Sequence, residues 1–390
     1  MRRYAGLLLL VVCIILTGCS NDKPEAVIEN IDGIEYVRNP ESPLFPEKTV
    51  IFEEELRISF EDDAGNIIIY QPAAFAVSAD GWLYVGDGQE RNIHVFDSDG
   101  KHIRFFSGKG QGPGEFERIG RLAFLSDGRL LAIDWRTRRT SLFNREGEYL
   151  GGHTWRNSHF EIYWIDEDSY TVDDRAYGGD ATILSVKTFS LEGEERTSFG
   201  EFTPFRPHIV TQGEYSFGIT IPYDPHSIFT GDRKNKYLYH CLNDRYSIEV
   251  YDMSGKLFRI IERPYTPVPF TDLDRQDYYD SVDQNPNKIY GQMARDVELP
   301  QVKTITESMV VDDLGNLWVA TFETRNEGED IFTAYDIFSK DGKYTARVWS
   351  VVNPYFFQDG KMYAYAQSDE GYRTLIRYAV KWRDEPTPFP

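Results

Sequence analysis

The sequence predicts an all-β fold in which four-stranded antiparallel units close into a ring of six, and three observations lead to this prediction. One motif recurs at a fixed spacing of 47 residues, from Asp80 to Asp127. Asp-Gly pairs separate short apolar runs, and 31 Gly and 19 Pro are spread along the 390 residues. The last copy ends one strand short, and strand-like runs before the first copy can complete it. A constant period of this size is typical of stacked supersecondary units.

The repeat is clearest in two segments that align without a gap. Asp80-Gly81 corresponds to Asp127-Gly128, and Gly100 corresponds to Gly147, so both pairs lie 47 residues apart. Asp-Gly between short apolar runs is a hairpin signal. Each unit is therefore predicted as strand, Asp-Gly turn, strand, polar loop, strand, X-Gly turn and strand. That order forms one four-stranded antiparallel blade.

Four weaker copies follow the two clear ones. They keep the apolar runs, but the third copy has Glu167-Asp168-Ser169 where the first two have Asp-Gly. At about 50 residues per unit, six copies fall within the range of propeller repeats. The weaker copies cover residues 160–193, 227–255, 309–342 and 355–382.

The sixth copy indicates how the ring closes. After its third strand, Trp382 is followed only by a polar and Pro-rich tail. The fourth strand can come from Thr49–Phe52 and Leu56–Phe60, which precede the first copy. Closure by strands from both termini removes the exposed sheet edges that would otherwise pair with other chains. The sequence therefore predicts a six-bladed β-propeller over residues 49–385.

Two insertions interrupt the regular spacing. Corresponding glycines lie 46 residues apart in the third copy, but 62 and 87 residues apart in the fourth and fifth. The first insertion, 201–225, is rich in Pro and aromatic residues and contains no regular run of strand length. In the second, 264–304, Thr271 can cap a helix over 272–282, and a second short helix is predicted over 287–297. Insertions of this kind serve either as binding loops or as cover for an exposed rim.

The N-terminus has the pattern of an export signal. Arg2-Arg3 precedes an apolar run from Ala5 to Leu16, which matches the charged and apolar regions of a secretory signal. Twelve residues are too few for a helix that crosses a bilayer, which needs about 20. We therefore predict a signal peptide over 1–18. The residues after it, 19–48, are rich in Asn, Asp, Glu and Pro and are predicted as a tether.

Two motifs carry a family resemblance. Leu16-Thr17-Gly18-Cys19 resembles the lipobox of bacterial lipoproteins, and the resemblance implies that Cys19 is lipidated after cleavage. The linker Gly108-Lys-Gly-Gln-Gly-Pro-Gly-Glu-Phe116 resembles the NHL repeat. Together with the acidic tether, these motifs look like the six-bladed β-propeller lipoproteins of Bacteroidetes. The resemblance implies a lipid-anchored protein of the cell envelope, on the outer membrane, facing either the periplasm or the cell surface. It implies no agreed biochemical activity.

Composition excludes several classes of function. The 63 Asp and Glu outnumber the 42 Lys and Arg, and the net charge of −21 argues against nucleic-acid binding. Apolar residues make up 41% of the chain, so a core can form. Cys13 leaves with the signal and Cys19 receives lipid, so that Cys241 has no partner and no disulfide is expected. Nothing in the sequence determines the oligomeric state.

Acidic residues recur at the end of the second strand in the first three copies. Asp87, Asp134 and Asp173 occupy equivalent positions, and a ring of carboxylates could hold Ca²⁺. The alternative is that each Asp accepts hydrogen bonds from backbone N–H groups of the following loop, or pairs with Arg91 or Arg138. No motif for another metal, and no HExxH, GxSxG, CxxC or phosphate-binding loop, is present.

One face of the ring collects the candidate binding residues. Loops that join the second and third strands, and those that enter the first strand, share this face. Arg, Trp and Tyr there suit carbohydrate or peptide groups. The favoured function is a binding or scaffold module for a glycan, a peptide or an envelope protein. The alternative is an enzyme, because NHL-like propellers include lyases and lactonases with a metal or His at the central channel; His226 and His240 are the candidates for acid–base chemistry. The candidate ligand-face residues are Arg118, Trp135, Arg136, Arg175, Tyr177 and Arg325.

Overall fold

Six sheets, each built on four consecutive antiparallel strands, form a ring in the computed structural model, which describes residues 25–61, 66, 68–178, 181–367 and 373–384. The sheets follow one another along the chain in the predicted order, and the prediction of a six-bladed β-propeller is confirmed. The predicted signal peptide 1–18 and the lipidation site Cys19 lie outside the described residues.

Three strands precede the first repeat. β1 (Val27–Ile31) and β2 (Ile34–Arg38) form a hairpin, and β3 (Thr49–Ile58) follows. The hairpin lies within the predicted tether, so the structure differs from that prediction from Val27 onward. The hairpin is part of the fold because β2 pairs with a strand that lies more than 200 residues later in the chain and extends the sheet of that blade.

Blades one and two match the two clear repeats. Gly81, Gly128, Gly100 and Gly147 all have φ between 81° and 87°, a conformation that glycine adopts without strain. This backbone requirement explains why the same glycines recur at the same places in the sequence. Blade one consists of β4 (Pro72–Val77), β5 (Leu83–Asp87), β6 (Ile93–Phe96) and β7 (His102–Phe106), and blade two of β8 (Ile119–Phe124), β9 (Leu130–Asp134), β10 (Arg139–Phe143) and β11 (Tyr149–Thr154).

Blades three and four are separated by a hairpin of their own. The prediction that the insertion 201–225 contains no regular strand is wrong, because β16 and β17 pair there from His208 to Ile219. Blade three consists of β12 (Ile162–Ile165), β13 (Ser169–Gly178), β14 (Ala181–Ser190) and β15 (Glu195–Phe202); the hairpin is β16 (His208–Gln212) and β17 (Tyr215–Ile219); blade four is β18 (Ser227–Asp232), β19 (Tyr237–Leu242), β20 (Ser247–Tyr251) and β21 (Leu257–Glu262).

Two helices separate blades four and five, close to the predicted positions. The Thr271 hydroxyl accepts a hydrogen bond from the Asp274 backbone N–H, and the Thr271 backbone N–H donates one to the Asp274 carboxylate, a capping box that starts the first helix. The helices are α1 (Asp272–Asp283) and α2 (Lys288–Arg295); blade five is β22 (Thr306–Val311), β23 (Leu317–Glu327), β24 (Asp330–Phe338) and β25 (Tyr344–Ser350); blade six begins with β26 (Phe356–Gln358), β27 (Lys361–Gln367) and β28 (Arg373–Arg383).

The ring closes in blade six, as predicted. β3 from the N-terminal side pairs antiparallel with β28, from Leu375 opposite Ile58 to Arg383 opposite Thr49. The two predicted runs form one continuous strand with an irregularity opposite Arg377 and Tyr378. β2 also joins a blade. It runs parallel to β21, and with β1 it makes blade four six-stranded. The propeller is therefore fastened to residues near its N-terminus at two blades.

The first strands of successive blades line the central channel. β4 contacts β8, β8 contacts β12, and the series continues through β18 and β22 to β26. Apolar side chains fill the spaces between neighbouring blades, with Trp164 and Trp318 almost fully buried. Each Å² of apolar surface that is buried contributes about 25 cal/mol to the free energy of folding. These interfaces are therefore the main source of stability.

The two insertions pack against each other and form one unit, which we call the cap (residues 203–226 and 263–305). The cap has its own core, in which Ile219 from the hairpin meets Tyr278 and Met293 from the helices. Phe217 of the hairpin also contacts Tyr290 of α2, with ring centroids 5.8 Å apart. The hairpin forms because α2 covers its inner side, a contact that the local sequence does not reveal. In the described part of the chain, neither helix is long and apolar enough to cross a membrane.

Candidate functional site

Chain direction defines two faces of the ring. The consecutive strands of each blade are antiparallel, so loops between second and third strands lie at the same end as connections that enter the first strands. We call this end the entry face. Both segments of the cap are connections of this type, and they therefore lie on the entry face, beside blades four and five.

Four side chains of blades two and three form a continuous stack at the entry face. The guanidinium carbon of Arg118 lies 4.5 Å from the centre of the Trp135 ring. Trp135 and Phe160 have centroids 5.6 Å apart, and the guanidinium carbon of Arg175 lies 4.9 Å from the Phe160 ring. We call Arg118, Trp135, Phe160 and Arg175 the mouth stack. Two cations enclose two aromatic rings in this arrangement, and each cation–π contact is favourable.

Two buried carboxylates hold the mouth stack in position. Asp134 directly precedes Trp135 and accepts a hydrogen bond from the Glu117 backbone N–H, 2.7 Å away, next to Arg118. Asp173 accepts from the backbone N–H of Phe160 and from Nε of Arg175, both at 2.7 Å. The backbone at Gly120 leaves room for Trp135, because a Cβ there would lie 2.8 Å from the indole Cδ1.

The three equivalent aspartates act as hydrogen-bond acceptors for the connections between blades. Asp87 accepts from the backbone N–H of Tyr70 in the connection at 3.0 Å, in the same way that Asp134 and Asp173 accept from their connections, and from that of Gln89 in the following loop at 2.7 Å. All three are fully buried. Among the described residues, no group of three or more His, Cys, Asp or Glu side chains is arranged to hold a metal ion.

The channel wall below the mouth carries a second set of polar and aromatic groups. Nε of Arg121, on β8, lies 2.6 Å from a carboxylate oxygen of Glu161. Desolvation by the surrounding wall raises the pKa of Glu161, and Arg121 opposes that shift. Across the channel, the ring of Tyr355 lies 5.4 Å from Phe75 and 5.5 Å from Tyr365. The wall therefore combines a hydrogen-bonded ion pair with an aromatic cluster.

Sequence reasoning missed these wall residues and also Phe160. Arg121 is the one charged residue in the apolar strand Ile119–Phe124, and this contrast is a usable signal for a channel-facing side chain. No comparable signal marks Phe160 or Tyr355, because aromatic residues are equally common between blades.

The other predicted ligand-face residues do not join the mouth stack. Arg136 is 67% exposed and its Nε lies 3.9 Å from Glu117, and Tyr177 is 63% exposed at the end of β13. Arg325, on β23, lies 4.7 Å from the ring of Trp349, and Trp349 is on the outermost strand of blade five. The structure thus brings together three of the six predicted residues.

The two candidate histidines occupy different environments in and beside blade four. Nδ1 of His240 lies 2.9 Å from Glu249, and its Nε2 lies 2.9 Å from the Ser227 hydroxyl. The hydrogen bond from His240 lowers the pKa of Glu249. Phe202 and Phe229 enclose the His240 ring, with centroids 4.6 and 4.9 Å away.

His226 lies in the cap segment before β18, where its Nδ1 is 2.8 Å from the Asp224 carbonyl. No contact joins His226 to His240 among the interactions of the described residues. His240 is enclosed between blades three and four, and the structure therefore places the two rings in separate surroundings rather than in one acid–base pair.

Comparisons with known proteins agree with the fold. Residues 77–177, which cover most of blades one and two and part of blade three, match the model of the DUF5128 family, described as a 6-bladed β-propeller. No curated protein matches the chain. The site and fold together define a six-bladed propeller with a cationic and aromatic mouth.

Two solved structures of Bacteroides proteins resemble this chain. A putative exported protein from Bacteroides fragilis shares 12% identity, with a TM-score of 0.51 over 89% of this chain and 99% of that one. A DUF4221 family member from Bacteroides vulgatus shares 11% identity, with a TM-score of 0.53 over 87% and 99%. At such low identity, these similarities show the fold alone.

Proposed function

We propose that this protein is a lipid-anchored binding module of the cell envelope whose entry face takes a carbohydrate that carries carboxylate or sulfate groups. The mouth stack is the observation on which this proposal depends. Aromatic rings offer flat apolar surfaces to sugar rings, and guanidinium groups bind carboxylate and sulfate through paired N–H groups.

Charge supports an anionic ligand. Arg118 is exposed, and within the described residues no carboxylate lies close enough to form an ion pair with it. Its cation is held on Trp135 with its N–H groups available to a ligand. On a chain with a net charge of −21, an unpaired arginine at a concave mouth is a local attraction for anions in a field that otherwise repels them.

The envelope location depends on Cys19 and the predicted signal 1–18. Five residues lie between Cys19 and Glu25, the first described residue, and the six steps from one Cα to the next, at about 3.5 Å each, span at most about 21 Å. The anchor would therefore hold the propeller close to the membrane. The similarity to a putative exported Bacteroides protein agrees with this location.

Cys19→Ser tests the anchor. We expect the wild-type protein to incorporate labelled fatty acid and to sediment with outer membranes, and the variant to do neither, because lipid attachment needs the thiol. Protease treatment of intact cells then distinguishes the surface from the periplasm. Equal membrane association of both proteins would contradict the lipid anchor.

Trp135→Ala tests the binding site. Both full-length proteins are titrated in detergent with oligogalacturonate and followed by calorimetry. The variant should bind at least about tenfold more weakly than the wild type, because it has lost one stacking surface and the support of Arg118. A neutral oligosaccharide of equal length should bind the wild-type protein more weakly.

Trp349→Ala is the matched control. Trp349 also carries an arginine over its ring, 4.7 Å away, but on an outermost strand. Its loss should leave oligogalacturonate affinity unchanged. Equal effects of the two substitutions, or preference for a peptide over both sugars, would overturn the assignment to an acidic glycan.

A further inference from the structure

Arg233 crosses the channel at the end opposite the mouth stack. It lies in the turn between β18 and β19 of blade four, on the face opposite the entry face. Its guanidinium carbon lies 4.6 Å from the ring centre of Phe356, on the first strand of blade six. Blade five lies between these two blades in the ring, so the side chain spans the channel floor to make this contact.

The charge of Arg233 has no counterion. In the part of the chain that the structure describes, no Asp or Glu lies within ion-pair distance of it. The nearest carboxylate in sequence, Asp232, is occupied by the backbone N–H groups of Lys234 and Asn235 at 2.9 and 2.8 Å. The guanidinium therefore has free donor capacity.

The surroundings of Arg233 are open to water but enclosed by protein. The residue is exposed, and desolvation by the surrounding chain nevertheless lowers the pKa of its guanidinium to about 10, with Tyr355 acting in the opposite direction. Solvent therefore reaches a cation whose hydration is reduced by the chain around it. An anion bound at the guanidinium would recover part of the lost solvation.

Tyr355, the residue before Phe356, is a second group near Arg233. Tyr355, 44% exposed, lies in the aromatic cluster with Phe75. Tyr355 also interacts electrostatically with Arg121, Glu161 and Arg233. Charged groups of blades two, three and four therefore all act on the hydroxyl of Tyr355.

We propose that the channel floor is an anion-binding subsite, in which Arg233 takes a carboxylate, sulfate or phosphate group while Phe356 holds the guanidinium flat. This proposal rests on the proposed function, because it adds a deep contact for the end of an acidic chain whose other units lie on the mouth stack. The subsite and the mouth stack lie at opposite ends of the channel, so they can be tested separately.

Arg233→Met removes the charge and keeps most of the length of the side chain. With the full-length protein in detergent, titrations use inorganic sulfate and oligogalacturonate as probes. We expect the variant to bind both probes about tenfold to a hundredfold more weakly, the range for loss of a charge-assisted contact. Arg233→Lys, which keeps the charge, should retain most of the sulfate affinity.

Arg145→Met is the matched control. Arg145 also lies over an aromatic ring, 4.8 Å from Trp82, but it pairs with Asp80 in exposed turns. It should bind both probes as the wild-type protein does. Thermal unfolding followed by circular dichroism confirms that each variant is folded.

The outcomes separate the two proposals. Unchanged binding of both probes by Arg233→Met would overturn the subsite, and the proposed function would stand if Trp135→Ala still weakened oligogalacturonate binding. Arg233-dependent sulfate binding without any oligogalacturonate binding would support the subsite and overturn the proposed function. If the wild-type protein bound neither sulfate nor oligogalacturonate, both proposals would be overturned.

Discussion

Blades one to three and blades four and five fasten their connections in different ways. In the first three, one buried aspartate at or near the end of the second strand accepts backbone N–H groups of the connection that enters the blade. In blade four, Asn243 occupies the equivalent place and accepts from the His226 N–H at 2.9 Å. Its amide also donates to the Thr306 carbonyl of blade five, 3.1 Å away.

Blades four and five depend further on one buried network. The carboxylate of Asp336 binds Arg263 at 2.7 Å, Arg347 at 2.8 Å, and the hydroxyl groups of Tyr246 and Tyr344 at 2.7 and 2.8 Å. These partners come from both blades and from the connection that begins the cap. Blades one to three thus repeat the same local hydrogen bonds, whereas blades four and five are held by contacts that each occur once.

The difference follows from the cap. A short connection can be held by a single carboxylate beside it, whereas the connections of 203–226 and 263–305 carry a core of their own. Their ends are therefore fixed by long-range contacts. The same division explains the entry face, where the mouth stack is built on the repeating aspartates and the cap is built on the unique contacts.

Asp336→Ala should have the largest effect on stability. It leaves Arg263, which is almost fully buried, without its charge partner, and loss of one member of a buried pair costs about 3–5 kcal/mol. Urea unfolding measures the change in free energy of unfolding, and Asp336→Asn provides a milder variant if the first does not accumulate.

Asp341→Ala is the control for this substitution, because Asp341 lies exposed in the neighbouring turn. Its effect should stay within about 0.5 kcal/mol. A small effect of Asp336→Ala would show that blades four and five do not depend on the network, and the comparison would lose its basis.

Asp134→Ala should have a smaller effect of about 1–3 kcal/mol. The substitution removes the acceptor for the N–H groups of Glu117, Arg136 and Thr137, and each buried donor without a partner costs free energy. Urea unfolding again gives the magnitude. The same variant should weaken oligogalacturonate binding, because the segment that carries Arg118 and Trp135 is released.

Asp127→Ala is the matched control in the same blade. Asp127 is exposed and accepts only from Arg129 in its turn, so its loss should cost less than about 1 kcal/mol. A loss at Asp134 equal to that at Asp336 would mean that the two regions are fastened equally strongly.

Local chemistry made much of the fold predictable. Positive φ at Gly81 and Gly128 demands glycine, and this demand produced the visible 47-residue period. The capping box of Thr271 marked the start of α1. The hairpin of 208–219 was not predictable in this way, because its inner side is covered by α2 rather than by a neighbouring blade.

The candidate site divides in the same manner. The position of Arg118, Trp135 and Arg175 in loops of one face followed from the repeat, and the structure joins these residues through Phe160. Arg325 belonged to the same predicted set, but the long hairpin of β23 and β24 brings it against Trp349. Loop assignment predicts the face of a side chain but not its direction along that face.

The sequence by itself determined the six units, their turns and their closure, because each depends on residues close together in the chain or on a constant period. Only the tertiary structure decided that the two insertions share one core and that Arg233 meets Phe356 across the channel. Those contacts join residues from separate blades. They depend on how the ring brings its blades around one axis, which no local pattern of residues encodes.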